Sequence, residues 1–297
     1  MKQILLLTDF SDNAYNAIRY AMHFFKSEVC NFHLMNVHKV NSYISDDLMT
    51  SSKESIYESI TKKPKAEIDK LIADLTQEFN NDKHTFNVVI DFDVFIDAVK
   101  QAVKNKSIDY LVMGTNGATG AKEVLLGSNT RNVIRKVNCK AIIVPENYIF
   151  KPIKELLLVL DPKDELNGNT FTELLEFLET YQLHLHVLRI HPNQETSKNE
   201  FNDKSNLALI KCEYRLINNV PIDQAVSQYL EVNSIDFTAI IIHKGEQKKA
   251  DLSGYDGIMI FGEVRNEKLA SVGIELISEG RKLADQLKTN VTAVILG

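Results

Sequence analysis

The chain has 297 residues, 44% of them hydrophobic and 25% charged, with a formal net charge of −6. That is length and apolar material for two domains of about 150 residues each, and the acidic balance argues against nucleic acid or anionic membranes as main partners. Three cysteines without a CxxC pair indicate neither a disulfide framework nor a zinc site. No run approaches the ~18 apolar residues of a membrane span, and the first one breaks at Thr8-Asp9, too early for a signal peptide. A soluble, cytoplasmic protein is the expectation.

Strand and helix patterns alternate from the start. Residues 4–7 form a short aliphatic run, followed by Ala14, Ala17, Ile18, Ala21 and Phe25 at helical spacing. Residues 31–37 read as the second strand. A polar segment over about 38–63 leads into a helix at about 64–80. Then come a strand at 86–90, a helix at 94–104, a strand at 110–113, a helix at 129–137 and a strand at 141–144. Alternating β and α segments predict a parallel sheet covered on both faces, closed as a unit by residue 146.

The densest chemistry lies between the last two strands. Met113-Gly114 ends a strand, Gly117 comes after two residues, and Gly127-Ser128 after nine more, opening the helix that contains Asn129 and Thr130. A strand that gives way to a glycine-rich loop and a helix start can hold phosphate, because backbone N–H groups approach closely and the helix N-terminus adds partial positive charge. No Gly-Lys-Ser/Thr ends the run, so it is not a P-loop. Taken singly, Asp9 also reads as a helix cap, Gly114 and Gly117 as turn glycines, and Gly127-Ser128 as a plain helix start.

The spacing Gly114-x2-Gly117-x9-Gly127-Ser128, with the opening Leu-Leu-Thr-Asp-Phe-Ser over 6–11, resembles the universal stress protein family across the whole first unit. The resemblance implies an ATP site built from Thr8, Asp9, Val37, Met113, Gly114, Gly117, Gly127, Ser128, Asn129 and Thr130. Asp9 would contact the nucleotide, the Val37 backbone would face adenine, and the glycines with Ser128 would hold the phosphates. ATP is the implied cofactor, with AMP or ADP as variants and Mg accompanying the phosphates. The family's usual Pro before Thr-Asp is Leu7 here.

Residues 151–250 echo the first unit at a period of about 150. Strands are expected at 151–160, 183–190, 211–217 and 237–243, and helices at 170–181 and 221–232, with a polar insert over 191–206. Asp161 takes the place of Asp9. The nucleotide signature is missing, since residues 243–249 carry a single glycine. This half reads as a degenerate, truncated pairing domain.

From about residue 252 the texture changes. Tyr-Asp-Gly-Ile-Met-Ile-Phe-Gly-Glu-Val-Arg-Asn-Glu-Lys-Leu over 255–269, together with the stretches 274–287 and 291–297, resembles the extreme N-terminus of an electron transfer flavoprotein alpha subunit. The flavin-binding domain of that family lies far downstream of such a segment, so flavin binding does not carry over. Residues 251–297 are expected to form a β-α-β segment, its helix at 274–287, packed on the second domain with 291–296 as closing strand and 258–263 at an edge. The fold class is therefore α/β: two Rossmann-like parallel-sheet domains of the adenine nucleotide alpha hydrolase-like, universal stress protein type, the second completed or extended by the tail.

Other chemistry is set aside. His184 and His186 alternate along a strand and share a face, but without an evident carboxylate or cysteine partner they are not read as metal ligands, nor is His191. Lys62-Lys63-Pro64-Lys65 reads as a solvated helix entrance and Cys139 as a small core residue. No hydrolase motif occurs. The expected function is an ATP-binding stress-response regulator, at most a weak ATPase, paired within the chain or as a homodimer. The alternatives are a scaffold that binds no nucleotide and, remotely, an electron-transfer accessory acting through the tail.

Overall fold

The computed structural model describes residues 1–38, 56–115, 127–191, 198–242, 258–265, 268–269 and 291–296. The expected Gly117, the helix at 274–287 and the stretch 243–249 lie outside the described residues. The chain divides into two compact units, Met1–His243 and Lys244–Gly297.

The first sheet is built from β1 (Lys2–Leu7), β2 (Cys30–Val37), β3 (His84–Asp91), β4 (Tyr110–Gly114) and β5 (Lys140–Val144), parallel throughout and ordered β3-β2-β1-β4-β5. Successive side chains of a strand point to opposite faces, and each face here meets helices. Ile4 and Leu6 pack with Ala17, Ile18 and Ala21 of α1 (Asp12–Phe24) and Ile68, Leu71 and Leu75 of α2 (Ile56–Phe79). Leu5 and Leu7 pack with Ala98, Val99 and Ala102 of α3 (Phe95–Asn105) and Val133 of α4 (Ser128–Lys136). Helix α2 begins earlier than the sequence pattern predicts and carries Pro64 inside it, so the exposed Lys62, Lys63 and Lys65 lie within the helix instead of at its entrance.

The second sheet repeats this plan with one strand fewer. It contains β6 (Glu155–Leu160), β7 (His184–His191), β8 (Cys212–Asn218) and β9 (Phe237–Ile240), parallel and ordered β8-β7-β6-β9, with α5 (Gly168–Tyr181), α6 (Lys198–Asn206) and α7 (Ile222–Val232) between them. The equivalence extends to individual hydrogen bonds. Asp109 accepts from Gln3 N at 2.7 Å and its own N donates to Gln3 O at 2.8 Å; Asp236 does the same with Glu155, at 3.1 and 3.0 Å. Gln3 therefore corresponds to Glu155, and Asp9 to Asp161 as expected.

Helix α6 is a correction, because its residues were read as a polar insert. It docks through charge in place of an apolar stripe: Asp203, 2% exposed, grips the wholly buried Arg189 in a two-bonded pair of 2.8 and 2.7 Å. The Arg189 guanidinium also donates to the carbonyls of Asp161 and Asp164, and Tyr214 donates to Asp203 at 3.0 Å.

The halves of Met1–His243 meet through aromatic side chains. Phe24 of α1 stacks on Phe177 (6.2 Å between centroids) and contacts Tyr181 (4.8 Å) of α5 and Phe237 (6.4 Å) of β9. The Tyr181 hydroxyl donates to the Glu28 carboxylate, which also pairs with Lys2 at 2.8 Å. Tyr148 and Phe150 of the connection lie on Tyr20, 5.9 and 5.4 Å away. In the second unit, β10 (Ile258–Arg265) pairs parallel with β12 (Val291–Leu296) and antiparallel with β11 (Lys268–Leu269), a three-stranded sheet of its own. The expected closing strand thus pairs with β10.

Candidate functional site

In the first sheet the strand order turns back at β1: the chain runs outward through β2 and β3 on one side and returns to β4 and β5 on the other. Open α/β sheets bind ligands beyond the carboxyl ends of the strands flanking such a point. Thr8 and Asp9 leave β1 there, Val37 ends β2, and Met113 and Gly114 end β4.

The turn after β1 is fixed by short local bonds. Thr8 is buried and its Oγ1 accepts from Phe10 N at 3.0 Å, where Phe10 adopts a positive φ of 63°. Asp9 is exposed, and its carboxylate accepts from Ser11 N at 3.1 Å and Ser11 Oγ at 2.6 Å. Ser11, not Asp9, caps α1, accepting from Ala14 N at 3.2 Å. The cap reading of Asp9 is thereby removed, and the carboxylate stands at the strand end. Asn36, which the sequence reading missed, secures the neighbouring strand: buried, it donates to Thr8 O at 2.8 Å. A polar amide inside the run Phe-His-Leu-Met-Asn-Val was the available signal.

The opposite wall is β4 and the start of α4. Met113 is buried in the core against α3 and α4, so only its backbone borders the crevice. A Cβ placed on Gly114 would stand 2.6 Å from Asn13 Nδ2 and 2.8 Å from Asn13 Cγ. Real Cβ atoms do not approach so closely, so Gly114 is glycine because helix α1 presses Asn13 on it. Gly127 donates from its N to Thr115 O at 2.7 Å, and Thr130, 2% exposed, donates from Oγ1 toward Gly114 O (3.1 Å) and Thr115 O (3.0 Å). These bonds pin the first turn of α4 to the end of β4. Val37 is half-buried, whereas Ser128 and Asn129 are exposed.

Two features leave this helix start open to an anion. Its cap, Gly127, offers no side-chain bond to the first turn, and that turn holds no acidic residue. The Gly127 backbone, at φ −56° and ψ 157°, is open to any residue. The chain geometry therefore does not require glycine there, and at the helix N-terminus N–H groups and the macrodipole favour negative charge.

A family model for the universal stress protein family matches residues 1–145. Those residues are a universal stress protein domain. A universal stress protein of Methanocaldococcus jannaschii is 25% identical over 152 residues, 48% of this chain and 94% of the relative. A universal stress protein structure from Archaeoglobus fulgidus, 15% identical, superposes with a TM-score of 0.57 over 88% of this chain and 87% of that one, which supports the fold in both halves. The electron transfer flavoprotein alpha subunit of Thermoanaerobacterium thermosaccharolyticum is 50% identical over 46 residues, 16% of this chain but 14% of that protein. No helix of the described residues is long and apolar enough to cross a membrane.

The second half differs from this domain at the corresponding end. Arg189 ties together the carbonyls of Asp161 and Asp164 beyond β6, where the first half has Asn36 bonded to Thr8 O. A cavity of about 260 Å3 nearby is lined by carboxylates and amides, among them Asp164, Asn167, Asp203 and Asn206, and shares no residue with the first-half crevice. At the other end of the same sheet the histidine reading needs correction. Glu155 Oε2 lies 2.7 Å from His184 Nδ1 and 2.8 Å from His186 Nε2, so a carboxylate does accompany them. It was missed because it comes from the neighbouring strand.

Proposed function

We propose that the universal stress protein domain binds ATP, with AMP or ADP as competitors, and acts as a nucleotide-dependent binding module in a stress response. The uncapped glycine start of α4, pinned by Thr130 to the strand end beside the reversal of sheet order, carries this reading. The phosphates would take the α4 N-terminus at Gly127, Ser128 and Asn129, with Gly117 in the intervening loop. Asp9 would face the sugar or a phosphate-bound Mg, and the Val37 backbone the adenine. Asp9 is the obvious carboxylate near the site and the sequence shows no evident general base, which favours binding over turnover. The second half serves as the pairing partner, its corresponding strand end closed by Arg189.

The test is direct. Nucleotide released from the denatured, purified protein is identified by chromatography, and ATP is titrated into the emptied chain. ATP or AMP in the extract, or saturable ATP binding, is expected. Gly127→Val should weaken that binding at least tenfold with the fold intact, at a cost to the helix start of about 1 kcal/mol or less. ATP affinity unchanged in this variant would sink the site, and no binding by the parent chain would leave an interaction scaffold.

A further inference from the structure

The end of the second sheet opposite the ligand crevice carries a second constellation. Glu155 opens β6 and His184 opens β7, and the two are paired in the sheet register. His186 lies two residues along on the same face. Three ligand atoms, Glu155 Oε2, His184 Nδ1 and His186 Nε2, fall within 4.8 Å of one another. Glu155 and His184 side chains are 35% and 31% exposed, whereas that of His186 is 8% exposed. The cluster is thus rooted in the protein on one side and open to solvent on the other.

The repeat supplies an internal comparison. At the equivalent positions of the first half stand Gln3, Asn31 and His33, joined by neutral hydrogen bonds: His33 Nε2 lies 2.9 Å from Gln3 Oε1, and Asn31 Nδ2 donates to the same oxygen at 3.0 Å. Packing at this corner is therefore satisfied by two amides and one imidazole. The second half keeps the imidazole and replaces both amides, one with a carboxylate and one with a second imidazole. Amides bind borderline divalent metals poorly, while two imidazoles and a carboxylate are a regular ligand set for them.

The supporting groups fit as well. His186 Nδ1, on the far side of its ring, lies 2.9 Å from the Tyr229 hydroxyl of α7 and 3.5 Å from Glu213 Oε2 of β8. With a metal on Nε2 the ring proton moves to Nδ1 and is donated to one of these oxygens, the arrangement that orients a metal-bound histidine and raises its basicity. Zinc takes nitrogen at about 2.0–2.1 Å and carboxylate oxygen at about 2.0–2.2 Å. Ligand atoms around such an ion stand about 3.3 Å from one another, so the Glu155 oxygen, 2.7 and 2.8 Å from the two nitrogens, must move outward and the nitrogens, within 4.8 Å of one another, must close in, an adjustment open to the half-exposed Glu155 and His184.

We propose that Glu155, His184 and His186 form a three-ligand site for a divalent transition-metal ion of the zinc class, with its remaining coordination position open to water or to a ligand from outside. The site belongs to the second half alone and lies at the opposite strand ends from the region where the first half would hold nucleotide.

The experiment uses the full-length, untagged chain freed of metal with a chelator. Zinc is titrated calorimetrically, and cobalt is added in parallel for its visible ligand-field absorption. One zinc per chain and a cobalt spectrum bleached by zinc are expected. The variant Glu155→Gln with His184→Asn installs the residues that the first half uses at these positions, so folding is preserved by precedent and checked by circular dichroism. It should weaken zinc binding by 100-fold or more and abolish the cobalt spectrum. Zinc affinity equal to the parent in a folded double variant overturns the proposal, as does a parent chain that takes up no zinc.

Discussion

At the scale of single residues, the two halves show how one position does different work according to its neighbours. Gly114 belongs to the glycine motif proposed to hold nucleotide, yet its nearest constraint is internal, the buried Asn13 side chain 2.6 Å from where a Cβ would stand. Gly114→Ala should therefore destabilise the domain by about 1–3 kcal/mol, the cost of forcing groups apart in a packed interior, measured by denaturant unfolding in the absence of nucleotide. A loss of ATP affinity with unchanged stability would contradict this and assign the glycine to the ligand. Gly127 is the contrasting case, since its backbone would accept any residue. Both glycines were legible in the sequence as members of one motif. Their different reasons were not, because Asn13 meets Gly114 across about a hundred residues of chain. A shorter separation, 29 and 31 residues, hid Glu155 from His184 and His186: two strands must be set in register before the carboxylate and the imidazoles are neighbours.

At the scale of elements, what the sequence showed came from hydrophobic period, and what it hid came from polar docking. Strands β1, β4 and β6 are largely apolar runs, as parallel strands covered on both faces tend to be, and helices α1 and α3 carry clear apolar stripes. Helix α6 has no such stripe, because Asp203 and Arg189 anchor it. A pair so buried is costly to desolvate and costlier to break on one side, so it fixes the position of α6 more than it adds stability. Strands β2 and β3 carry a different buried polar load. Burial, with Lys106 adding to it, lowers the His33 pKa; burial lowers that of His84 too, opposed by its bond to the Phe25 carbonyl and aided by Lys83. Nδ1 of each ring is buried without a hydrogen-bond partner among the described residues, so a proton added there is unsatisfied. Groups whose folded pKa is depressed contribute stability that is complete above the unfolded value, near 6.5, and lost as pH falls through the lower folded value. The melting temperature should accordingly decline as pH drops below about 6.5. His84→Gln, which can still donate to the Phe25 carbonyl, should flatten that decline; an unchanged pH slope would show that His84 charges freely in the folded chain.

At the scale of the whole molecule, the unit Met1–His243 is two copies of one plan joined back to back by rings. Phe177 of α5 packs against the cores of both halves, and Phe24, Tyr181 and Phe237 surround it. An interface of this kind does within one chain what a homodimer does between two, and it places the amino-terminal strand of the first half, through Lys2 and Glu28, in contact with α5 of the second. This contact gives a ligand-driven change in the first domain a physical route into the second. Because the rings belong to both cores at once, the two halves should unfold as one cooperative transition. Phe177→Ala removes the shared ring from a partly buried position, so its cost should fall short of the about 3–5 kcal/mol of a fully buried Phe. It should be felt in both halves, separating the single calorimetric peak into two. If ATP binds as proposed, it should then raise only the melting temperature of the half that holds it, whereas in the parent chain it raises the common transition. A single peak that persists in Phe177→Ala, shifted whole by ATP, would mean that the halves are held by contacts other than this aromatic seam.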